Sequence, residues 1–231
     1  MFDEETLVVE GTIRHTDREI QGCTDNAEQI AFRRGAIEAW LLENHISLDD
    51  LSAVVIRSSG AGLCKKGGTY LVTGKLRDGM YAAYRGSFPK APHPSFIVLP
   101  LADEILGSRP IPIYIVDPDG VDEFQDVAYI TGHPDLPRSS GFHVLNHKAI
   151  ARKASRDLGK RYEDADLVVA HMGGGISIAA HRHGLVVDST SGGSAGEGPF
   201  GTNRTGPLPL NKLVDRCFSG AYTKSEIMDL I

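Results

Sequence analysis

The chain has 231 residues, 41% of them hydrophobic, with 24 basic against 30 acidic residues and a formal net charge of −6. That length allows one large domain or two small ones with a real core. The acidic balance argues against a nucleic-acid partner, which would call for a basic patch or stripe. No apolar run is long enough to span a bilayer, and the acidic start MFDEETLVVEG lacks the basic and apolar regions of a signal peptide. Cys23, Cys64 and Cys217 are scattered and odd in number, as free thiols in a reducing cytoplasm would be, so a cytoplasmic setting is expected.

In chain order, Leu7-Val8-Val9-Glu10 and Thr12-Ile13-Arg14 have strand character. Asp25 and Glu28 form a candidate capping box for a helix over 26–44, with Ile30, Ile37, Trp40 and Leu41 on its apolar face. A buried strand over 51–56 ends at Arg57, and 58–69 is a glycine-bearing loop with Lys65 and Lys66. Helices are predicted over 73–84 and 96–106, the second stopped by Gly107. Another apolar strand over 111–116 ends at Asp117-Pro118. A long helix is predicted over 139–158, carrying His143, Asn146 and His147, with its basic stretch 148–156 on a solvated face. The last helical segments fall near 208–218 and 223–231. Strands alternating with helices give an α/β fold. Arg57 and Asp117 both follow predicted strands, where ligands of open α/β sheets bind.

The most informative stretch runs from 166 to 209. A strand ending at His171 is followed by Gly173-Gly174-Gly175, then by alternating Ile176-Ser177-Ile178-Ala179 and a further strand over 185–189. These glycines join two strands, whereas phosphate loops of the P-loop and Rossmann kinds lead into a helix. Glycine here would still let backbone N–H groups approach an anion. Such a hairpin alone usually reflects turn geometry. The loop beyond it adds weight, because Gly192, Gly193, Gly196, Gly198, Gly201 and Gly206 surround Glu197 and Arg204, and a guanidinium can hold phosphate or carboxylate bidentately. His181, Arg182 and His183 look like a hairpin turn without cysteine or carboxylate support, so no metal site is expected there.

The stretches AHMGGGISIAAHRHGLVVDS, GEGPF and NRTGPLP resemble the butyrate kinase family, relatives of acetate kinase in the acetate and sugar kinase, heat-shock-protein and actin superfamily. The resemblance continues through AVVIR, KGGTY, IYIVDP, GFHVLNHKAIARKA and LGKRYEDADLVVAH, and covers nearly the whole chain. It implies ribonuclease-H-like (actin-like ATPase) α/β domains with a cleft between them. The first domain, lacking its opening strands, would cover 1–147, and a linking helix with the start of an incomplete second domain would cover 148–231. It also implies a phosphotransferase with a carboxyl acceptor, converting ATP and butanoate reversibly to ADP and butanoyl phosphate with Mg2+, in a homo-oligomer that is at least a dimer. Another short or branched acid, such as propionate or isobutyrate, would fit too, because one methylene discriminates by only about 1–3 kcal/mol.

By the same resemblance, Arg57 and Arg204 clamp the carboxylate and the phosphoryl oxygens, His143 donates to the phosphoryl group, and Asp117 lies near the metal. His171, Gly173, Gly174 and Gly175 match the family's second phosphate loop, while His93 is expected to be structural. The loop SSGAGLCKK after Arg57 departs from the glycine–leucine–proline pattern of relatives. The family's first phosphate loop, adenosine motif and metal-linked glutamate have no counterpart, so a truncated module binding phosphate or carboxylate without turnover is the alternative expectation.

Overall fold

The computed structural model describes residues 1–86, 94–190, 198–202 and 205–231. His93, Glu197 and Arg204, all singled out in the sequence, lie outside the described residues. The chain divides into two compact units, 1–61 with 69–116 and 62–68 with 117–231.

In the first unit a short hairpin of β1 (Phe2–Asp3) and β2 (Thr6–Leu7) precedes the stretches 7–10 and 12–14 expected as strands, of which only Leu7 lies in one. A brief helix α1 (Asp17–Gln21), unforeseen in the sequence, follows Thr16, which forms a capping box with Glu19. Helix α2 (Asn26–Glu43) matches expectation, and Asp25 accepts from Glu28 N at 2.9 Å. The other half of the expected box is shifted by one residue: the Glu28 carboxylate accepts from Thr24 N at 2.6 Å. The sheet runs β3 (Val54–Ile56), β5 (Ile113–Val116), β4 (Thr69–Leu71), with β3 parallel and β4 antiparallel to the central β5. Strand β4, not expected from the sequence, begins at Thr69, the last residue of the stretch read as a loop. Helices α3 (Gly74–Gly86) and α4 (Val98–Leu106) follow the predicted spans closely, and Gly107 ends α4 with φ 59. Ile56, Val72, Met80, Leu99, Leu106 and Ile115 form the core between sheet and helices.

In the second unit the residues 62–68 are held by backbone and carboxylate bonds to 117–123: Asp122 N to Lys65 O at 3.0 Å and Asp117 N to Gly68 O at 2.9 Å. The helix expected over 139–158 is α5 (Val144–Asp157), and His143 is its N-cap residue with φ −80 and ψ 67. Residues 140–142 are drawn into the core instead of the helix. Phe142 is buried against Phe124, and Ser140 Oγ donates to Val121 O at 3.0 Å.

The basic stretch of α5 is only partly a solvated face, with Lys153 and Arg156 exposed but Lys148 turned inward. Lys148 is buried and bonded to Glu123, while Ala151 and Ser155 are also fully buried. Beneath α5 lies the antiparallel sheet β6 (Leu167–Met172), β7 (Ile176–Arg182), β8 (Leu185–Ser189), in the order and spans the alternation predicts. The β7–β8 turn is two residues, His183 (φ 53) and Gly184 (φ 74), so both central positions have the positive φ that right-twisted hairpins favour. Helices α6 (Leu210–Cys217) and α7 (Lys224–Leu230) close the chain, the latter with a Thr223–Glu226 capping box. No helix among the described residues is long and apolar enough to cross a membrane.

Candidate active site

The alternation of β7 puts Ser177, Ala179 and His181 on one buried face. His171 on β6 stands directly opposite Ser177 in the antiparallel register, which brings their side chains to the same side of the sheet. Helix α5 crosses this face. His143 Nδ1 lies 2.9 Å from Ser177 Oγ, and His147 Nε2 lies 2.8 Å from the same oxygen. The His143 ring stacks on His171 with centroids 3.8 Å apart and planes at 16°. Asn146 Nδ2 sits 2.6 Å from His171 Nδ1. His181 continues the series, 5.8 Å from His147 between ring centroids, with its Nδ1 2.7 Å from the Tyr162 hydroxyl.

Burial decides the charge of the two inner imidazoles, His147 and His181. Loss of solvation, reinforced by the neighbouring His171 and His143, holds His147 down to about 4. Burial, with His147 and Lys148 adding to it, also holds His181 down to about 4. Both imidazoles are therefore neutral at pH 7. Burial likewise pushes the Tyr162 hydroxyl upward, so it remains protonated.

The glycine turn after β6 is closed by Gly173 N to Gly175 O at 3.1 Å. A side chain at Gly173 would bring its Cβ to 3.0 Å from His171 Nε2, so glycine here makes room for the imidazole. The loop 198–202 folds back on this turn: a Cβ on Gly201 would meet Gly174 O at 3.0 Å. His171 and Gly173–Gly175, predicted from sequence as one group, therefore do lie together, and His143 lies with them.

Asp117 is fully buried at φ 43, just beyond β5. Its carboxylate accepts from both terminal nitrogens of Arg152, at 2.5 and 3.2 Å, and from Gly68 N at 2.8 Å. Sequence reading had missed this bidentate partner on α5. Arg57 follows β3 in the first unit, is exposed, and borders an apolar cavity of about 430 Å³ lined by Ile37, Leu41, Leu51 and Ile105. Arg204, its expected partner, lies outside the described residues. His181 belongs to β7 and not to a turn, and no group of three metal-ligating side chains occurs among the described residues.

Sequence reading also missed Glu123, whose side chain is 1% exposed. It accepts from Gly67 N at 2.6 Å, Val186 N at 2.9 Å and Lys148 Nζ at 2.8 Å. Lys148 donates further to Gly184 O at 3.1 Å. Helix α5, the 62–68 loop and the β7–β8 hairpin thus meet at one ion pair. Arg138 similarly fastens β8, donating to Asp188 Oδ1 at 2.9 Å and Ser189 O at 2.6 Å.

Residues 133–211 match the acetokinase family. This segment is the part of the chain that is similar to that family. It contains α5, the whole antiparallel sheet and every member of the histidine array. Over almost its full length the chain is also similar to curated relatives. It is 40% identical over 229 residues to a probable butyrate kinase of Clostridium botulinum (strain Alaska E43 / Type E3), covering 98% of this chain and 62% of that protein. It is 40% identical over 233 residues to butyrate kinase 1 of Clostridium acetobutylicum, covering 100% of this chain and 63% of that protein. The chain thus spans somewhat less than two thirds of these relatives.

Among solved structures, the acetate kinase of Porphyromonas gingivalis superposes with a TM-score of 0.62 at 19% identity, covering 80% of this chain and 47% of that one. A propionate kinase from Francisella tularensis gives 0.60 at 18% identity, covering 84% and 51%. The likeness shows a mixed α/β fold shared with these structures.

Proposed function

We propose that this chain carries the phosphoryl-transfer half-site of a butyrate-kinase-type enzyme, which moves a phosphoryl group reversibly between ATP and butanoate or a closely related short or branched carboxylate. The observation that carries this reading is the stack of His143 on His171, 3.8 Å apart and beside the Gly173–Gly175 turn. The choice of butanoate follows the 40%-identical relatives, a probable butyrate kinase and butyrate kinase 1.

Phosphoryl transfer needs positioning and charge stabilisation more than covalent help from the protein. In this reading His143 donates a hydrogen bond to an oxygen of the transferring group. The Gly173–Gly175 turn and His171 face the nucleotide phosphates, and Arg57 with Arg204 binds the carboxylate and the phosphoryl oxygens. The neutral, buried His147 and His181 behind these groups place no fixed charge beneath the site.

Asp117 was expected near Mg2+. Both of its oxygens are engaged by Arg152 and one also by Gly68 N, so this carboxylate does not fit a direct metal ligand. In this reading Asp117 orients α5 through Arg152. The division at 147/148 and assembly into a homo-oligomer belong to the same proposal.

The test is acyl-phosphate formation from ATP and acid, trapped with hydroxylamine, using butanoate, propionate, isobutyrate and acetate in parallel. Hydroxamate formed preferentially with butanoate and lost in His143→Ala is the expected result. Phosphate binding without hydroxamate from any acid would overturn the enzyme reading in favour of a phosphate- or carboxylate-binding module. Undiminished turnover in His143→Ala would remove His143 from the site.

A further inference from the structure

We propose that Ser177 and His147 are positioning residues that fix His143 in the tautomer whose proton is on Nε2. The proposal rests on the reading of His143 as the phosphoryl donor. A neutral imidazole can donate through only one of its nitrogens, and the hydrogen bond made by the other decides which. His143 could serve an anionic oxygen from Nε2 only if its Nδ1 is an acceptor.

The geometry points to that state. Ser177 Oγ is within hydrogen-bond distance of two imidazoles, 2.9 Å from His143 Nδ1 and 2.8 Å from His147 Nε2. A serine hydroxyl has one proton. It therefore donates to one ring and accepts from the other. His147 decides the direction. It is 0% exposed, and its Nδ1 has no hydrogen-bond partner among the described residues. A proton on that nitrogen would leave a buried N–H unpaired, which is the rarer defect and costs the full desolvation of a donor. With the proton on Nε2, His147 donates to Ser177 Oγ, and the Ser177 proton is directed at His143 Nδ1. His143 then carries its N–H on Nε2.

The stacked partner is set the same way by a different residue. The Asn146 amide nitrogen can only donate, and it lies 2.6 Å from His171 Nδ1, so His171 also bears its N–H on Nε2. That nitrogen is the one closest to the Gly173 position. The first turn of α5 thus supplies Asn146 and His147, which between them orient two stacked imidazoles, one directly and one through Ser177. With the tautomer reversed, His143 would present a lone pair to an anionic oxygen, a repulsive contact.

Long-range 1H–15N correlation spectra of the chain labelled with 15N-histidine read each tautomer directly, with His143 assigned by its loss in His143→Gln. At neutral pH His143 is expected with a protonated Nε2 and a bare Nδ1. Ser177→Ala should shift it towards a mixture, as should His147→Phe. His147→Gln, whose amide N–H can replace the lost donor, should hold the wild-type form. In the hydroxylamine assay Ser177→Ala should lower kcat roughly 10–100-fold, as loss of an orienting partner commonly does, with KM for the acid little changed and His147→Gln retaining most activity. A wild-type His143 protonated on Nδ1, or a spectrum unchanged by Ser177→Ala, would overturn the proposal whatever the turnover. The expected tautomer in a chain without turnover would instead refute the kinase reading and leave the relay standing.

Discussion

Replacing Lys148 with methionine tests the reading of α5 most sharply. The lysine and Glu123 side chains are 2% and 1% exposed, with their charges 2.8 Å apart. In the variant Glu123 keeps its bonds from Gly67 N and Val186 N but loses its counter-charge, and Gly184 O loses a donor. Methionine fills the space of the lysine stem, so little of the effect comes from a cavity. Removing one member of a buried pair costs about 3–5 kcal/mol, because the remaining charge stays desolvated. That is a large share of a typical stability of about 5–15 kcal/mol. Urea denaturation at pH 7, followed by circular dichroism, should report that loss. Adding Glu123→Gln removes the stranded charge, and the double variant should recover about 1–3 kcal/mol relative to additivity, the usual coupling of contacting residues. A loss below about 1 kcal/mol in Lys148→Met, as for a solvated surface lysine, would refute the buried-pair argument.

Acid should weaken the fold before the carboxylates titrate. His147 and His181 are held down to about 4 from the ordinary 6.5, so below pH 6.5 the unfolded chain binds protons that the folded chain refuses. Stability is therefore full above pH 6.5 and falls as pH drops towards 4, by up to about 3 kcal/mol per imidazole. Urea midpoints that stay level between pH 6.5 and 4.5 would contradict this. Gly67→Ala should cost about 1–3 kcal/mol by overpacking, since its Cβ would lie 2.5 Å from Lys148 Cε. The loss should shrink in a Lys148→Ala background when the two are compared by thermal melting. Asp117→Asn should cost about 2 kcal/mol, the value of hydrogen bonds to a charged group. Asparagine tolerates the positive φ of 43 there, so an unchanged melting temperature would mean that Arg152 contributes nothing.

The sequence by itself determined the elements with strong local signals. The β6–β7–β8 hairpins were legible because alternating apolar residues between glycine turns allow only one register that buries Ser177, Ala179 and His181 together. The α2 and α4 helices were legible from periodicity and from Asp25 and Gly107 at their ends. His171 with its glycines was legible as a group for the same reason, since all lie within one turn of chain.

Tertiary structure decided the rest, wherever a residue's state depends on a partner distant in sequence. Lys148 reads as a solvent-facing cation until Glu123, 25 residues earlier, supplies the charge that allows its burial. Asp117 reads as an available carboxylate until Arg152, 35 residues on, occupies it. The start of α5 was misplaced by five residues because Phe142 packs against Phe124, and core packing overrides local helix propensity. Ser177 shows the limit most plainly. On its strand it is an ordinary small inward-facing residue, and only α5 folding across the sheet gives its single proton two imidazoles to choose between.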